Sequence, residues 1–420
     1  MDLDIEDRAL LAGEQGPAMK LAMEIVVQAG RIMGAERLVP VSFAHIDACF
    51  YNGQAHIDFA EYCLKHGAQF AVPAWGNNGV VSLTHPQLYE GHPDTEMVDG
   101  ARKLLGLYEA LGCKPTWTCA PYHIPGGPKF GDQIVAGESN AVSFYNSVTG
   151  ARTNKYGDYL DVACGLVGKA PFAGLHTDEG RKAELHLATD RIPDAWKRED
   201  IFYHLLGHHV GRLAGRRVPV VSGLGVKPSE DNLKAVSTAV ASSGGVELWH
   251  GVGATPEAPV LDAVFGGGGR FEMTADDLRA AQQALTTGRD GPLDVVALGT
   301  PHFSASEFRD VLSLLDGRKV RPGLRFIITT SRFVMGYLDS KGWSQALRQA
   351  GVEIVGDICS YYAPGINPMK GRVMTNAAKW AYYAPGMLPV EVCFGSLKEC
   401  VESAVKGEVW RDPGLWSALQ

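Results

Sequence analysis

Two cysteines in this sequence stand where a metal-binding thiolate is expected. Cys119 and Cys359 each follow a short apolar run that predicts a β-strand, in the sequences TCAPY at 118–122 and DIC at 357–359. A thiolate exposed at a strand end can bind iron. The alternative is a pair of ordinary buried thiols, because free cysteine is among the most buried residue types.

Histidines follow two further predicted strands. His302 ends the sequence GTPH at 299–302, and His45 closes the first predicted strand. An imidazole titrates near neutral pH, so either side chain can ligate a metal or move a proton. A structural role remains an equal alternative for both. We do not assign zinc to His204 and His208, because the sequence HLLGH lacks the glutamate that activates water in zincins.

A stretch rich in hydroxyl and amide side chains runs from 137 to 154, with the sequence GESNAVSFYNSVTGARTN. Such a mixture suits hydrogen bonding to a hydroxylated carboxylate better than it suits a core. Within it, Arg152 can clamp a carboxylate through its two-pronged guanidinium or form a surface salt bridge. Lys379 has the same two interpretations, since most lysines are simply solvated.

Positioning these residues requires a scaffold that gathers strand ends. Short apolar runs predict buried parallel strands at 38–43, 69–72, 115–118, 217–221, 246–249, 293–298, 325–328 and 352–355. Amphipathic patterns predict intervening helices at 17–32, 275–285, 304–315 and 343–350. The fold class is therefore α/β, with several parallel or mixed sheets flanked by helices. Ligands of such sheets bind at the carboxyl ends of the strands, where the candidate residues lie.

The chain has 420 residues, enough for two to three domains at roughly 150 residues each. Glycine-rich stretches at 126–128 and 266–269 suggest boundaries. We accordingly divide the chain into an N-terminal region (1–125), a central region with the polar stretch (126–268) and a C-terminal region (269–420).

Composition restricts the partners. A net charge of −8 and the absence of a basic stripe argue against nucleic acid. No run approaches the roughly 20 apolar residues of a membrane span, and the acidic N-terminus is unlike a secretory signal. The eight cysteines include no CxxC pair, which is unlike a disulfide framework. We expect a cytoplasmic protein without nucleic-acid or membrane partners. Nucleotide-binding glycine motifs and the GxSxG elbow of serine hydrolases are also missing.

Several of these strings together resemble the large domain of the aconitase X family. They are LAGEQG at 11–16, TCAPY at 118–122, ESNAV at 138–142, NSVTGARTN at 146–154, GLH at 174–176, DVVALGTPH at 294–302, DIC at 357–359 and SLKECV at 396–401. They occur in order over nearly the whole chain.

The resemblance implies a hydro-lyase in which an iron–sulfur centre acts as Lewis acid on a leaving hydroxyl. Family members dehydrate cis-3-hydroxy-L-proline or mevalonate 5-phosphate, and they pair the large domain with a small swivel domain that contributes a serine. This chain leaves no room for that domain, so we expect an aconitase-like large domain and a separate swivel-domain subunit. A second hypothesis is a non-catalytic large subunit that only assembles with such a partner. A hydrolase with Cys119 as nucleophile is disfavoured, since no histidine is placed as its base.

The resemblance also implies roles for individual residues. We expect Cys119 and Cys359 to hold the iron–sulfur cluster or iron. The expected catalytic residues are Ser147, Arg152, His45 and Tyr122. The expected substrate-binding residues are Asn77, Ser139, Asn146, Thr153, Asn154 and Lys379.

Two departures from the family pattern affect these expectations. The family's Gly-Cys-Pro-His motif has Thr300 in place of cysteine. The third cofactor ligand is then the Thr300 hydroxyl, which binds iron more weakly than a thiolate, or it is His302. The remaining alternatives are a smaller cluster or no cluster. The sequence KYGDY at 155–159 replaces an Arg-Glu-Gly-Gly-Pro pattern of phosphomevalonate-type members. This second difference favours cis-3-hydroxy-L-proline, or another small hydroxy acid, over the phosphorylated substrate.

Overall fold

A computed structural model describes residues 1–225, 227–362 and 369–416 of the chain. Its strands are β1 (Leu38–Pro40), β2 (Ala44–Ile46), β3 (Ala74–Gly76), β4 (Val135–Ala136), β5 (Lys169–Pro171), β6 (Ala183–Ala188), β7 (Pro219–Ser222), β8 (His250–Gly251), β9 (Phe265–Glu272), β10 (Val295–Phe303), β11 (Arg325–Thr330), β12 (Val352–Gly356), β13 (Gly371–Thr375) and β14 (Val390–Phe394).

The helices alternate with these strands. They are α1 (Ile5–Ala12), α2 (Pro17–Ile32), α3 (Gln54–Lys65), α4 (Thr95–Ala110), α5 (Ser139–Phe144), α6 (Leu160–Val167), α7 (Asp200–Ala214), α8 (Glu230–Gly244), α9 (Ala275–Ala284), α10 (Ala305–Leu315), α11 (Arg332–Ser340), α12 (Trp343–Ala350), α13 (Ala378–Met387) and α14 (Leu397–Lys406).

Parallel pairing dominates the sheets, which confirms the α/β prediction. The largest sheet has the order β12-β11-β10-β13-β14, and all four of its pairings are parallel. A second parallel sheet has the order β8-β7-β6-β9, and a third the order β3-β2-β4. Only β1 and β5, among the described strands, pair antiparallel. The central strand β10 is buried along its whole length, as its continuous apolar run predicts.

Local signals fix several helices at the predicted positions. α2 covers 17–32 with proline in its first position, and α12 covers 343–350. α10 begins one residue later than predicted, because Ser304 is its cap and forms a reciprocal capping box with Glu307.

Three of the predicted strands are wrong. Residues 69–72 are irregular, and the strand β3 lies further on, at Ala74–Gly76. Residues 246–249 also form no strand; the backbone N–H of Trp249 donates to the Ser147 hydroxyl, and β8 begins only at His250. Residues 115–118 form no strand, although Lys114 makes one bridge to Trp75. The GTPH sequence does not follow a strand but lies inside β10. Gly266–Gly269, expected to mark a boundary, belong to β9, and the three-region division of the chain stays a prediction.

Helices α7 and α8 approach closely through glycines. A Cβ atom at Gly207 would lie 2.7 Å from the backbone oxygen of Val236, closer than real Cβ contacts allow. We therefore expect Gly207→Ala to lower the free energy of unfolding by about 1–3 kcal/mol through overpacking. Gly106→Ala is the matched control, since nothing lies within 4 Å of its added methyl group on α4. Urea denaturation should show that Gly106→Ala leaves stability unchanged or raises it by up to about 1 kcal/mol; equal losses in both variants would contradict the packing argument.

Every helix within 1–225, 227–362 and 369–416 is too short or too polar to span a lipid bilayer.

Candidate metal centre and substrate cavity

A cavity of about 330 Å³ opens where the loops after the strands of two sheets meet. Its walls are mainly polar and aromatic. They comprise Asp47, Phe50, Asn77, Asn78, Cys119, Glu138, Ser139, Lys155, Asp158, Cys359, Tyr361, Tyr362, Lys379, Tyr383 and Met387. This volume suits a small metabolite.

The three-stranded sheet supplies one wall of the cavity. Asp47 comes directly after β2, Asn77 directly after β3, and Glu138 two residues after β4. Because these strands are parallel neighbours, their carboxyl ends place the three side chains at one edge.

The five-stranded sheet supplies the opposite wall through Cys359, which follows β12. The carboxylate of Asp357 fixes this segment, because it accepts hydrogen bonds from the backbone N–H groups of Leu83 and Thr84 at 3.0 and 3.1 Å. Arg332 also pairs with Asp357 at 2.7 Å. The loop before Cys359 is thereby tied to the N-terminal part of the chain.

Cys119 and Cys359, 240 residues apart in sequence, meet at the cavity. Their Sγ atoms lie 3.6 Å apart, and both side chains are buried. His302 is buried beside them, and one ligand atom from each of the three residues lies within 4.8 Å of the others. The structure therefore brings together the three side chains predicted as metal ligands.

The hydrogen bonds of His302 decide its tautomer. The carbonyl oxygen of Ile358 accepts from Nε2 at 2.9 Å, so the proton is on Nε2. Nδ1 then accepts from the hydroxyl of Thr118 at 2.8 Å. Ligation by His302 would have to break one of these bonds. The hydroxyl oxygen of Thr300, in contrast, is buried without a hydrogen-bond partner among the described residues.

The two thiols have different proton affinities. A hydrogen bond from Cys119, together with the facing His302 and Lys379, holds the pKa of Cys359 well below its ordinary value. Burial raises the pKa of Cys119. These opposite directions make Cys359 the more acidic thiol of the pair, and the thiolate is the form that binds metal.

A buried ion pair lies at the same wall. The ammonium group of Lys379, in the first turn of α13, contacts the carboxylate of Glu138 and donates to the Ser139 hydroxyl at 3.1 Å. Burial works against the charge of Lys379, but Glu138 outweighs it and holds the pKa of Lys379 well above its ordinary value. Burial likewise opposes the charge of Glu138, but Lys379 and the N–H of Ala141 lower its pKa.

Asp47 has no such cation. Its carboxylate accepts from the side-chain amide of Asn77, and its backbone N–H donates to Asp161 at 2.7 Å. Burial, followed by the charges of Glu138 and Asp158, raises the pKa of Asp47 to about 7.

Of the predicted site residues, Cys119, Cys359, Asn77, Ser139 and Lys379 line the cavity. Arg152 does not; it pairs with Asp178 at 2.5 Å in a separate surface cleft. Ser147 accepts from the backbone N–H of Trp249, behind the cavity wall. The predicted catalytic positions of these two residues are therefore outside this cavity.

The remaining predicted residues form supports. Asn146 binds the backbone of Thr153 through both ends of its amide, and Asn154 binds the backbone of Leu175 and Ala173. These two amide groups are taken by nearby backbone groups, so residues 146–154 of the polar stretch lie outside the cavity, whereas Glu138 and Ser139 of the same stretch line it.

Tyr122 and His45 support the Cys119 loop. Tyr122 bonds the amide of Asn140, whose Nδ2 donates to the carbonyl of Cys119 at 2.7 Å. His45 donates to the carbonyl of Thr118 at 2.9 Å. Burial lowers the pKa of His45 to about 4, so its ring is neutral.

Sequence reasoning missed Asp47, Glu138 and the tyrosines at 361 and 362. Asp47 follows β2 as directly as Asn77 follows β3, so strand-end position could have found it. Glu138 is the single carboxylate of the polar stretch, but only its ion pair with Lys379 in the folded chain shows that it belongs to the site.

The fold and the site define an α/β protein whose parallel strand ends enclose a cavity with a Cys/His/Cys metal-capable group. Models for the first, second and third domains of aconitase X match residues 1–179, 184–283 and 293–406. The chain belongs to the aconitase X family.

Individual relatives and one solved structure agree with this assignment. The chain is 40% identical over 411 residues to a cis-3-hydroxy-L-proline dehydratase of Pseudomonas aeruginosa, covering 96% of this chain and 70% of that protein. It is 30% identical over 406 residues to the phosphomevalonate dehydratase large subunit of Methanocaldococcus jannaschii, covering 96% of this chain and 100% of that subunit. The crystal structure of Thermococcus kodakaraensis aconitase X in its holo-form matches with a TM-score of 0.84 at 31% identity, over 96% of this chain and 100% of that chain.

Proposed function

We propose that this protein is the large part of a metal-dependent hydro-lyase that removes water from cis-3-hydroxy-L-proline. The observation that carries the proposal is the buried pair of Cys119 and Cys359 beside the Lys379–Glu138 ion pair in one cavity. Curated cis-3-hydroxy-L-proline dehydratases at 40% and 38% identity support the substrate, whereas the phosphomevalonate dehydratase large subunits are 30–34% identical.

The donor set of the cavity fits an iron or iron–sulfur centre. Two thiol sulfurs at 3.6 Å are poised to bind one centre, and soft thiolate ligands suit iron–sulfur clusters. Cys119 and Cys359 would hold it, with the unpartnered hydroxyl of Thr300 or the imidazole of His302 completing the site. When bound, such a centre would act as a Lewis acid on the departing hydroxyl group.

The chain's own residues have separate tasks in this proposal. Lys379 presents an N–H donor to the carboxylate of the substrate, since an ammonium group has three N–H donors and Glu138 and Ser139 take two of them. Glu138 keeps Lys379 charged and oriented. The aromatic rings of Tyr361 and Tyr362 narrow the cavity and exclude water around the reacting carbon.

The charge of the cavity supports a small amino acid over a phosphate ester. No arginine is among the described residues that line it, and Lys379 is neutralised by Glu138. A phosphate dianion would need uncompensated cations, typically arginine in bidentate contact.

A swivel-domain partner, cytoplasmic location and iron dependence belong to the same proposal. The relative from Methanocaldococcus jannaschii is the large subunit of its dehydratase, which supports assembly with a partner polypeptide.

The test is an assay of the anaerobically purified chain, with and without a swivel-domain polypeptide of the family. We expect the pair to dehydrate cis-3-hydroxy-L-proline at least about 100-fold more efficiently than mevalonate 5-phosphate, because an unmatched phosphate costs several kcal/mol. A preference for mevalonate 5-phosphate would contradict the substrate assignment. Absence of both iron and turnover in the complex would favour a non-catalytic assembly subunit.

A further inference from the structure

We propose that Asp47 and Asn77 form the subsite for the protonated ring amine of the substrate, and thereby select a cationic amine over an uncharged ring oxygen. This inference rests on the proposed function, because it assigns the substrate's amine to one wall of the same cavity. It adds a specificity determinant on the β2 and β3 strand ends, in the cavity that the metal-capable thiols also line.

The charges that line the cavity leave a place for one cation. Three carboxylates line it, at Asp47, Glu138 and Asp158, against two ammonium groups, at Lys155 and Lys379. Lys379 is committed to Glu138. Lys155 and Asp158 are exposed at the rim, where solvent screens them. Asp47 is thus the inner carboxylate with no neutralising partner.

The structure holds Asp47 in a fixed orientation. Asn77 donates to one oxygen of its carboxylate, and Asp161 accepts from its backbone N–H at 2.7 Å. Behind it, a Cβ atom at Gly137 would lie 2.6 Å from the Cβ of Asp47, so the loop has no room to shift away. Across residues 1–225, 227–362 and 369–416, no Lys, Arg or His forms an ion pair with Asp47.

Asn77 adds a second acceptor. Its side chain is 97% buried, its Nδ2 is used on Asp47, and its Oδ1 has no hydrogen-bond partner among the described residues. A protonated secondary amine has two N–H donors, and the carboxylate of Asp47 with the amide oxygen of Asn77 offers two acceptors. The raised pKa of Asp47, caused first by burial and then by Glu138 and Asp158, agrees with a carboxylate that lacks its cation.

Asp47 is not part of the metal-capable group. The described residues place only Cys119, His302 and Cys359 close enough to share an ion. The cavity therefore offers two kinds of ligand group, the thiols of the metal-capable group and the oxygen acceptors of Asp47 and Asn77.

The test compares two unreactive ligands that differ in one ring atom, L-proline and (S)-tetrahydrofuran-2-carboxylate. Isothermal titration calorimetry on the metal-loaded protein, with its swivel partner where the complex forms, gives the dissociation constant of each. We expect the wild-type protein to bind L-proline at least about tenfold more tightly, and Asp47→Asn to weaken L-proline about 10–100-fold, because a charged hydrogen bond contributes about 1.5–3 kcal/mol. Binding of the tetrahydrofuran acid should stay within about twofold of wild type, since no charge pair is lost.

A second variant and a control distinguish loss of the amine contact from misfolding. Asn77→Ala should also reduce the preference for L-proline over the tetrahydrofuran acid. Asp310→Asn, on α10 away from the cavity, should leave the dissociation constants of both ligands unchanged. Equal weakening of both ligands in Asp47→Asn, unchanged selectivity, or no preference in the wild-type protein would each overturn the inference. Retained selectivity for L-proline without any dehydration of cis-3-hydroxy-L-proline would instead overturn the proposed function alone.

Discussion

Replacing Cys119 with alanine is expected to remove iron from the protein and to lower dehydration at least about 100-fold. Mutation of a residue that only orients a metal ligand already lowers metal affinity or activity by about 10–100-fold. Cys119 is itself one of the two sulfurs that the described residues place at this centre. The 3.6 Å contact with Cys359 would be lost, and with it the hydrogen bond that lowers the pKa of Cys359. Iron and acid-labile sulfide per chain, together with the visible absorption spectrum of anaerobically purified protein, measure the result.

Cys400→Ala is the matched control for this substitution. Cys400 is equally buried, but it lies on α14 in the core of the C-terminal sheet and belongs to no metal-capable group of the described residues. We expect it to keep its iron, spectrum and activity. An unchanged spectrum in Cys119→Ala would remove Cys119 from the ligand set, whatever the activity.

Lys379→Met should be the most destabilising of the substitutions considered, by about 3–5 kcal/mol. Methionine preserves the apolar stem, but it leaves the carboxylate of Glu138 buried with 8% of its side chain exposed and without its cation. Burial would then raise the pKa of Glu138 rather than leave it lowered. Urea denaturation of the variant at pH 7 measures the change in the free energy of unfolding.

Two further variants separate charge burial from simple loss of packing. Removing both charges in Lys379→Met with Glu138→Gln should recover a large part of the loss, because neutral partners carry no desolvated charge. Lys398→Met breaks an ion pair with Asp412 in which 53% of the lysine side chain is exposed, and it should cost less than about 1 kcal/mol. If Lys379→Met cost no more than Lys398→Met, the buried pair would not stabilise this wall of the cavity.

Local chemistry made parts of the fold predictable. The apolar runs at 293–298, 325–328 and 352–355 became β10, β11 and β12, because strands buried on both faces need continuous branched side chains. The serine cap of α10 and the proline at the start of α2 fixed those helices for equally local reasons. The run at 115–118 failed as a strand, because Trp117 is held at a positive φ of 40° and packs its ring against Gly76 instead.

The candidate site was only partly predictable. Sequence position indicated Cys119 and Cys359 as candidate ligands, and the structure brings them together, although no strand precedes Cys119 directly. Of the polar stretch, Glu138 and Ser139 line the cavity, whereas Asn146 and Asn154 satisfy nearby backbone groups of their own chain. Residue type indicates that a side chain can hydrogen-bond, but it does not indicate which partner is nearest.

The sequence by itself determined the α/β alternation and the aconitase X resemblance, and it singled out Cys119 and Cys359 as candidate ligands, since each depends on short-range pattern. Only the tertiary structure decided that Asp47, Glu138 and Lys379 share one cavity with those sulfurs. The physical reason is that Lys379 lies 241 residues from Glu138, and a buried charge acquires its state from its spatial neighbours. Folding pairs Glu138 with Lys379 and leaves Asp47 unpaired, and that difference in partners assigns the two carboxylates to different tasks.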